Sequence, residues 1–303
     1  MSEGERRTHV WGVGNHRYRA VPGWGAGPDG REPGGMVTGV AVGTGDADRD
    51  RLYAFQREPV GEVLVYERDG RFVGSWGAGT FAEAHNVSVS ADGRVLCTDR
   101  NDHTVRVFTR EGELERVLGT VNRPGAPGEP FNKPCQAVVD PDTGGIWVAD
   151  GYGNARIHRF SADGSLELSF GTAGGGDGQF NLPHSLAVDG RGRLVVVDRE
   201  NYRLQLFGRD GSLLAIWGVG DLRQPMDVHV DGEGVIYVAE CYQRITIYDP
   251  DGAVLARWGE PGDPPGRFPS FLHGICTDSR GDLYVADEQC LQKFERVRIE
   301  EDA

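Results

Sequence analysis

A unit of about 40–50 residues recurs along this chain, and few folds accommodate a repeat of that length. Its clearest copy runs from Phe131 to Phe160, FNKPCQAVVDPDTGGIWVADGYGNARIHRF. An apolar run at Ala137 to Val139 meets a turn at Asp140 to Gly145. A second run, Ile146 to Ala149, ends on Asp150. A third, Ala155 to Phe160, alternates before the Asp163-Gly164 turn, and a fourth ends at Phe170-Gly171. Short alternating runs separated by Asp-Gly turns specify hairpins, so the unit reads as a four-stranded antiparallel meander.

Three marks repeat with the unit. A large apolar residue followed by glycine closes the outer strand at Trp24, Trp76, Leu118, Phe170, Trp217 and Trp258; an acid ends the second strand at Asp99, Asp150, Asp198, Glu240 and Asp287. Alternating third strands appear as TVRVF (104–108), ARIHRF (155–160), RLQLF (203–207), RITIY (244–248) and LQKF (291–294). Four strands per repeat at this period specify an all-β fold, a β-propeller. A helical solenoid is excluded, since no unit has apolar residues at a 3.6-residue period. Five full units occupy about Met36 to Gly259, and a sixth, starting near Phe271, has only three strands before the sequence ends. A strand at Tyr18 to Gly25 is expected to complete it, closing a six-bladed ring that leaves no exposed sheet edge. The expected organisation is a tail at 1–17, a propeller at 18–297 and a second tail at 298–303. Long Gly/Pro-rich loops at Gly119 to Pro130, Gly171 to Gln179 and Glu260 to Arg267 are expected to decorate one face.

Composition narrows function. A net charge of −14 argues against a nucleic-acid backbone as partner, because phosphate neutralisation needs clustered Lys and Arg. No apolar run approaches a membrane span, and the start of the sequence, MSEGERRTHVWG, lacks the apolar core of a signal peptide. The five cysteines form no CxxC pair and mostly fall in strands, which points to reduced thiols and a cytoplasmic location.

Aligning the units at the start of the innermost strand gives Thr38, His85, Cys135, His184, Met226 and His273. Histidine thus occupies every second blade, and a closed ring brings the three imidazoles together around the axis. Three neutral imidazoles make a zinc site with a fourth position open. The blander reading is three polar residues capping strand starts; the alternation favours the metal. His229 reads as packing between blades, while His103 and His158, in or near outer strands, and His9 and His16, in the tail, carry no functional assignment. The residue after the second-strand acid, or after Gln56 in the first unit, faces the channel mouth: Arg57, Arg100, Gly151 followed by Tyr152, Arg199, Cys241 and Glu288. Arginine's planar fork suits a carboxylate. Function is favoured for Arg57 and Arg199, and a structural pairing for Arg100. Tyr152 lies within reach of the same centre, although a loop tyrosine by itself is more often packing; to act as a base it needs nearby cations.

The repeats resemble NHL repeats, and the chain from about Tyr18 to Phe294 resembles the peptidyl-α-hydroxyglycine α-amidating lyases. The segments RYRAVPGWG, FNKPCQAVVDPDTGGIWVADGYGNARIHRF and GQFNLPHSLAVDGRGRLVVVDRENYRLQLF carry the likeness, with DGYGNAR and PHSLAVD…VDREN its most specific motifs. The resemblance implies a zinc held by His85, His184 and His273, a catalytic Tyr152, and active-site arginines at Arg199 and Arg57. It implies cleavage of a carbinolamide to a primary amide and glyoxylate, on a small or peptide-like carboxylate substrate supplied by a separate hydroxylase. The family's acid after the third histidine, which helps hold a structural Ca2+, is Gly274 here, so that calcium site loses a ligand. Two alternatives stand beside the lyase: a related metal-dependent hydrolase, lactonase or tailoring enzyme, and a non-catalytic NHL scaffold that binds a protein.

Overall fold

A computed structural model describes residues 9–26, 35–126 and 128–298. Six antiparallel sheets are arranged as the blades of a propeller, and no α-helix occurs among the described residues. Each blade begins with an inner strand: Val37–Val42, Ala84–Val89, Gln136–Val139, Pro183–Val188, Pro225–Val230 and Leu272–Thr277. Second strands such as Ile146–Asp150 and Leu194–Asp198 are wholly buried, lying between neighbouring blades. Outer strands such as Phe72–Trp76 alternate between partly buried and exposed residues, as a sheet margin must.

The ring closes as the repeat requires, by a somewhat different route. The last blade takes its fourth strand from His16–Ala20, which pairs with Leu291–Arg296, and Trp11–Val13 adds a fifth. The expected tail at 1–17 is therefore corrected from residue 11 onward. Trp11 and Tyr18 both stack on Trp258, so aromatic burial recruits a segment whose glycines and charges read as unstructured. Trp24-Gly25 lies beyond that strand, in a turn, with Trp24 packed against Tyr66 and Tyr284 where the first and last blades meet. Across the same junction Arg68 pairs with Asp278 at 2.7 Å and with Asp282. Residues 1–8 and 299–303 of the expected tails lie outside the described residues.

The repeated outer-strand residue joins each blade to the next. A Cβ at Gly112 would lie 2.6 Å from the Trp76 ring, and one at Gly252 would lie 2.6 Å from Trp217. The turn between the third and fourth strands of a blade must therefore be glycine, because the preceding blade's aromatic ring rests on it. Second-strand acids have an equally local task. Asp99 accepts from the Ala82 and Glu83 amides, Asp150 from Asn132, Asp198 from Asn181 and Glu240 from Arg223. Each fixes the loop that leads into its own inner strand, and so sets where that strand begins.

Candidate metal centre

The three inner strands that carry histidine pair with their neighbours in register except at one residue. Pairing passes from Ala84 to Asn86, from Pro183 to Ser185 and from Leu272 to Gly274, which leaves His85, His184 and His273 as the extra residues of three β-bulges. A bulge turns its unpaired residue out of the sheet's alternation, here toward the axis. The three rings lie with centroids 4.9–5.1 Å apart, and one ligand nitrogen from each falls within 4.8 Å of the others. All three side chains are buried.

Each imidazole donates Nδ1–H to a carbonyl of the following blade: His85 to Cys135 at 2.7 Å, His184 to Met226 at 2.6 Å and His273 to Thr38 at 2.6 Å. The repeat positions without histidine thus supply the acceptors for those that have it. That bond fixes the tautomer and leaves every Nε2 lone pair available to an electrophile. Burial, reinforced by the neighbouring imidazoles and Arg57, holds His85 well below the usual histidine range. His184 is lowered for the same reasons with Arg199 contributing, and burial with Arg57 takes His273 to about 3. Three neutral imidazoles converging through Nε2, with their other nitrogens committed to carbonyls, are the donor set of a divalent metal with an open coordination position. The group can hold a metal ion.

Tyr152 occupies the mouth of this centre. Its phenol oxygen lies 3.2 Å from Nε2 of both His85 and His184, and Arg199 Nη1 donates to it at 3.3 Å. A single phenolic proton cannot serve two imidazoles, so one nitrogen is left without a hydrogen. Burial raises the Tyr152 phenol above its ordinary value, helped by Cys135 and opposed by Arg199 and Arg100. The cations expected to lower it are present, yet burial outweighs them. Arg100 lies over the Tyr152 ring, 4.7 Å from its centroid, while paired through two nitrogens with Glu83. The structural role favoured for Arg100 is thus joined by direct contact with the tyrosine.

Arg57 donates Nε to the Ala84 carbonyl at 2.8 Å and approaches Glu83 at 3.7 Å. Its Nη2 is buried without a partner, although burial already depresses the guanidinium's pKa. A charged donor left open beside three imidazoles is where an anionic ligand group would be received. Sequence reasoning missed Glu83, which links Arg57 to Arg100, and the carbonyls of Thr38, Cys135 and Met226; the repeat alignment had placed those three residues beside the histidines.

Other expectations resolve individually. His229 is buried and hydrogen-bonded to Thr277 Oγ1 at 2.9 Å, in keeping with packing between blades. His158 belongs to a third strand, Arg156–Phe160, rather than an outer one, and contacts Asp150 at 3.3 Å. His16 belongs to the closing strand. All five cysteines are buried thiols. Gly274 supplies no side chain for a calcium site, and a Cβ there would lie 3.1 Å from Val40 N and 3.2 Å from Gly39 Cα, so an acid would need this backbone to shift by a few tenths of an ångström. Asp227, a buried carboxylate hydrogen-bonded to the strand of Gly274, is occupied by donors from Ser185 (2.6 Å) and the Ile275 amide (2.9 Å). These residues do not fit a calcium ion.

The NHL repeat matches residues 180–207. Human NHL repeat-containing protein 3 is 33% identical over 224 residues, 68% of this chain and 61% of the relative. Peptidyl-glycine alpha-amidating monooxygenase B of Xenopus laevis is 34% identical over 170 residues, 52% of this chain and 19% of the relative. A probable peptidyl-alpha-hydroxyglycine alpha-amidating lyase of Caenorhabditis elegans is 32% identical over 149 residues, 48% of this chain and 42% of the relative. All three matches span less than two thirds of the relative's own length. Among solved structures, a streptogramin B lyase superposes with a TM-score of 0.64 at 13% identity, over 96% of this chain and 99% of that one. A Xanthomonas campestris gluconolactonase gives 0.67 at 17%, over 97% and 92%. At such identities these two show the fold alone.

Fold and site together define a six-bladed NHL-type propeller with a three-histidine centre on its axis. Within that class the chain resembles the peptidyl-α-hydroxyglycine α-amidating lyases.

Proposed function

We propose that this chain is a carbon–nitrogen lyase that cleaves an α-hydroxyglycine-type carbinolamide, R–CO–NH–CH(OH)–COO−, into the primary amide R–CO–NH2 and glyoxylate. The observation that carries the reading is Tyr152, whose phenol touches two of three convergent imidazoles while bonded to Arg199. His85, His184 and His273 would hold zinc, which when bound supplies Lewis-acid polarisation of a hydroxyl at the open position. The unpartnered Nη2 of Arg57, with Arg199, binds the substrate carboxylate and orients the hydroxyl toward Tyr152. Tyr152 exchanges the proton: the O–H bond breaks, the carbonyl of glyoxylate forms, and the electrons of the C–N bond leave with the amide nitrogen, which takes up a proton. Arg100, stacked on the phenol ring and anchored by Glu83, keeps the tyrosine in place. The names of two relatives, an amidating lyase and an amidating monooxygenase, support this reading. A separate hydroxylase would supply the substrate. The five buried thiols fit a cytoplasmic protein, and the net charge of −14 fits one with no nucleic-acid partner. Among the described residues no helix is long and apolar enough to cross a membrane.

The test is to incubate the purified protein with an α-hydroxyglycine amide and measure glyoxylate beside metal content. Release above the spontaneous rate, with about one zinc per chain that is lost in His184→Ala, is the expected result. Metal-loaded protein that releases none would sink the lyase. Cys241 and Glu288 at the mouth favour one second reading, a metal-dependent hydrolase or lactonase on the same centre. Hydrolysis products without glyoxylate would identify it.

A further inference from the structure

We propose that the acyl end of the substrate leaves the centre over the fifth and sixth blades, into a subsite formed by Glu288, Tyr242 and Phe271 that selects acyl groups carrying a positive charge. The proposal rests on the carbinolamide reading for the position of the carboxylate, and extends it to the chemical class of R.

The ring of residues around the mouth is not uniform. In blade order it reads Arg57, Arg100, Tyr152, Arg199, Cys241 and Glu288. Arg57 and Arg199, on opposite blades of a sixfold ring, hold the carboxylate over the axis, so R must emerge to one side of the line between them. One side is closed. There Arg100 lies 4.7 Å over the Tyr152 ring and is tied to Glu83. The other side carries the small Cys241 and the carboxylate of Glu288.

Glu288 is unlike the other acids near the mouth. Glu83 is paired with Arg100, and Glu200 with Arg199 and Gln224. Among the described residues Glu288 has no cationic partner within ion-pair distance; its side chain meets only the Ser270 hydroxyl, at 3.5 Å. It follows Asp287 as Arg199 follows Asp198, which sets it at the mouth, and its charge favours the protonated forms of both Arg57 and Cys241. Two aromatic residues lie on the loops joined to it. Glu288 N donates to the Phe271 carbonyl at 3.3 Å, and Gln243, the residue after Tyr242, donates Nε2 to Ser270 O at 3.1 Å, which ties the two loops together. Tyr242 is 51% exposed and Phe271 44%, and neither has a ring partner among the described residues. A carboxylate without a cationic partner, with two exposed aromatic rings on the adjoining loops, is complementary to an ammonium or guanidinium group, which can gain both an ion pair and a cation–π contact.

The experiment measures the affinity of unreactive N-acylglycines with basic, neutral or acidic acyl groups by calorimetry, and glyoxylate release from the corresponding α-hydroxyglycines. Wild type is expected to bind the basic acylglycine about tenfold more tightly than the acidic one, the scale of one partly exposed charge contact counted against its repulsive counterpart. The protein's overall negative charge contributes to any such preference, so Glu288→Gln is the control. It should reduce the ratio to within about twofold, and Tyr242→Ala should weaken the basic ligand more than the acidic one. Equal affinities in wild type, or a ratio unchanged in both variants, would overturn the subsite. Charge-selective binding with no glyoxylate from any substrate would leave the subsite standing and remove the lyase. Glyoxylate released at equal rates from all three classes, with equal affinities, would do the reverse.

Discussion

At the scale of single residues the site depends on a division of labour within each imidazole. Nδ1–H is committed to a carbonyl 2.6–2.7 Å away, so Nε2 is free by default rather than by protonation equilibrium. Tyr152 is the one acidic hydroxyl within hydrogen-bond reach of two of these nitrogens. Tyr152→Phe should therefore lower the rate of glyoxylate release by about 10²–10⁴-fold, the usual worth of a positioned proton-transfer group. Metal content, measured on the same sample, should stay near that of wild type, because the phenol is not among the three ligands. A variant that loses metal and activity together would make Tyr152 a support for the histidines instead. The identities of these residues were legible in the sequence through DGY and the aligned histidines. The partners that orient them were not, because a carbonyl acceptor leaves no mark in side-chain chemistry.

At the scale of elements, two devices build the propeller. The bulge in each of the three histidine-bearing inner strands aims its residue at the axis, and the outer-strand aromatic locks its blade onto the glycine turn of the next. Trp258 shows the second device at the point of closure. It is buried against Trp11, Tyr18 and Phe294, all from the blade that joins the two ends of the chain. Trp258→Ala should destabilise the protein by about 3–5 kcal/mol, as removal of a large buried aromatic does. Urea unfolding checks this, and a loss below about 1 kcal/mol would mean that the Trp11–Val13 strand contributes little to closure. The aromatic-glycine pair was plain in the sequence, but the extra strand was not. Its burial depends on Trp258, a residue far away along the chain that only ring closure brings near.

For the whole molecule, the axis beneath the histidines is held by hydrogen bonds between blades. Asp227 accepts from Ser185 on one neighbouring blade and from the Ile275 amide on the other, fully buried. Burial raises its pKa to about 6, against hydrogen bonds that lower it. The unfolded value is near 3.9, so between about pH 4 and 6 the folded state binds more protons than the unfolded one. This group's contribution to stability is therefore full below about pH 4 and lost as pH rises to about 6, by on the order of 3 kcal/mol. Asp227→Asn has no such titration. Its stability relative to wild type, from urea melts across that range, should rise with pH and then level off. A pH-independent difference would show that Asp227 is already ionised in the fold.

The sequence by itself determined the blade. Turn chemistry, strand alternation and the recurring acid are local, and each is written within a single repeat. It also determined the count of six and the histidines at alternate blades, since both follow from aligning copies of one unit. Only the tertiary structure decided that three nitrogens meet within 4.8 Å, that Arg57 keeps an open donor, and that residues 11–17 join the ring. Those features arise between repeats, where distances are set by closure of the circle and burial by whichever neighbour the closure supplies.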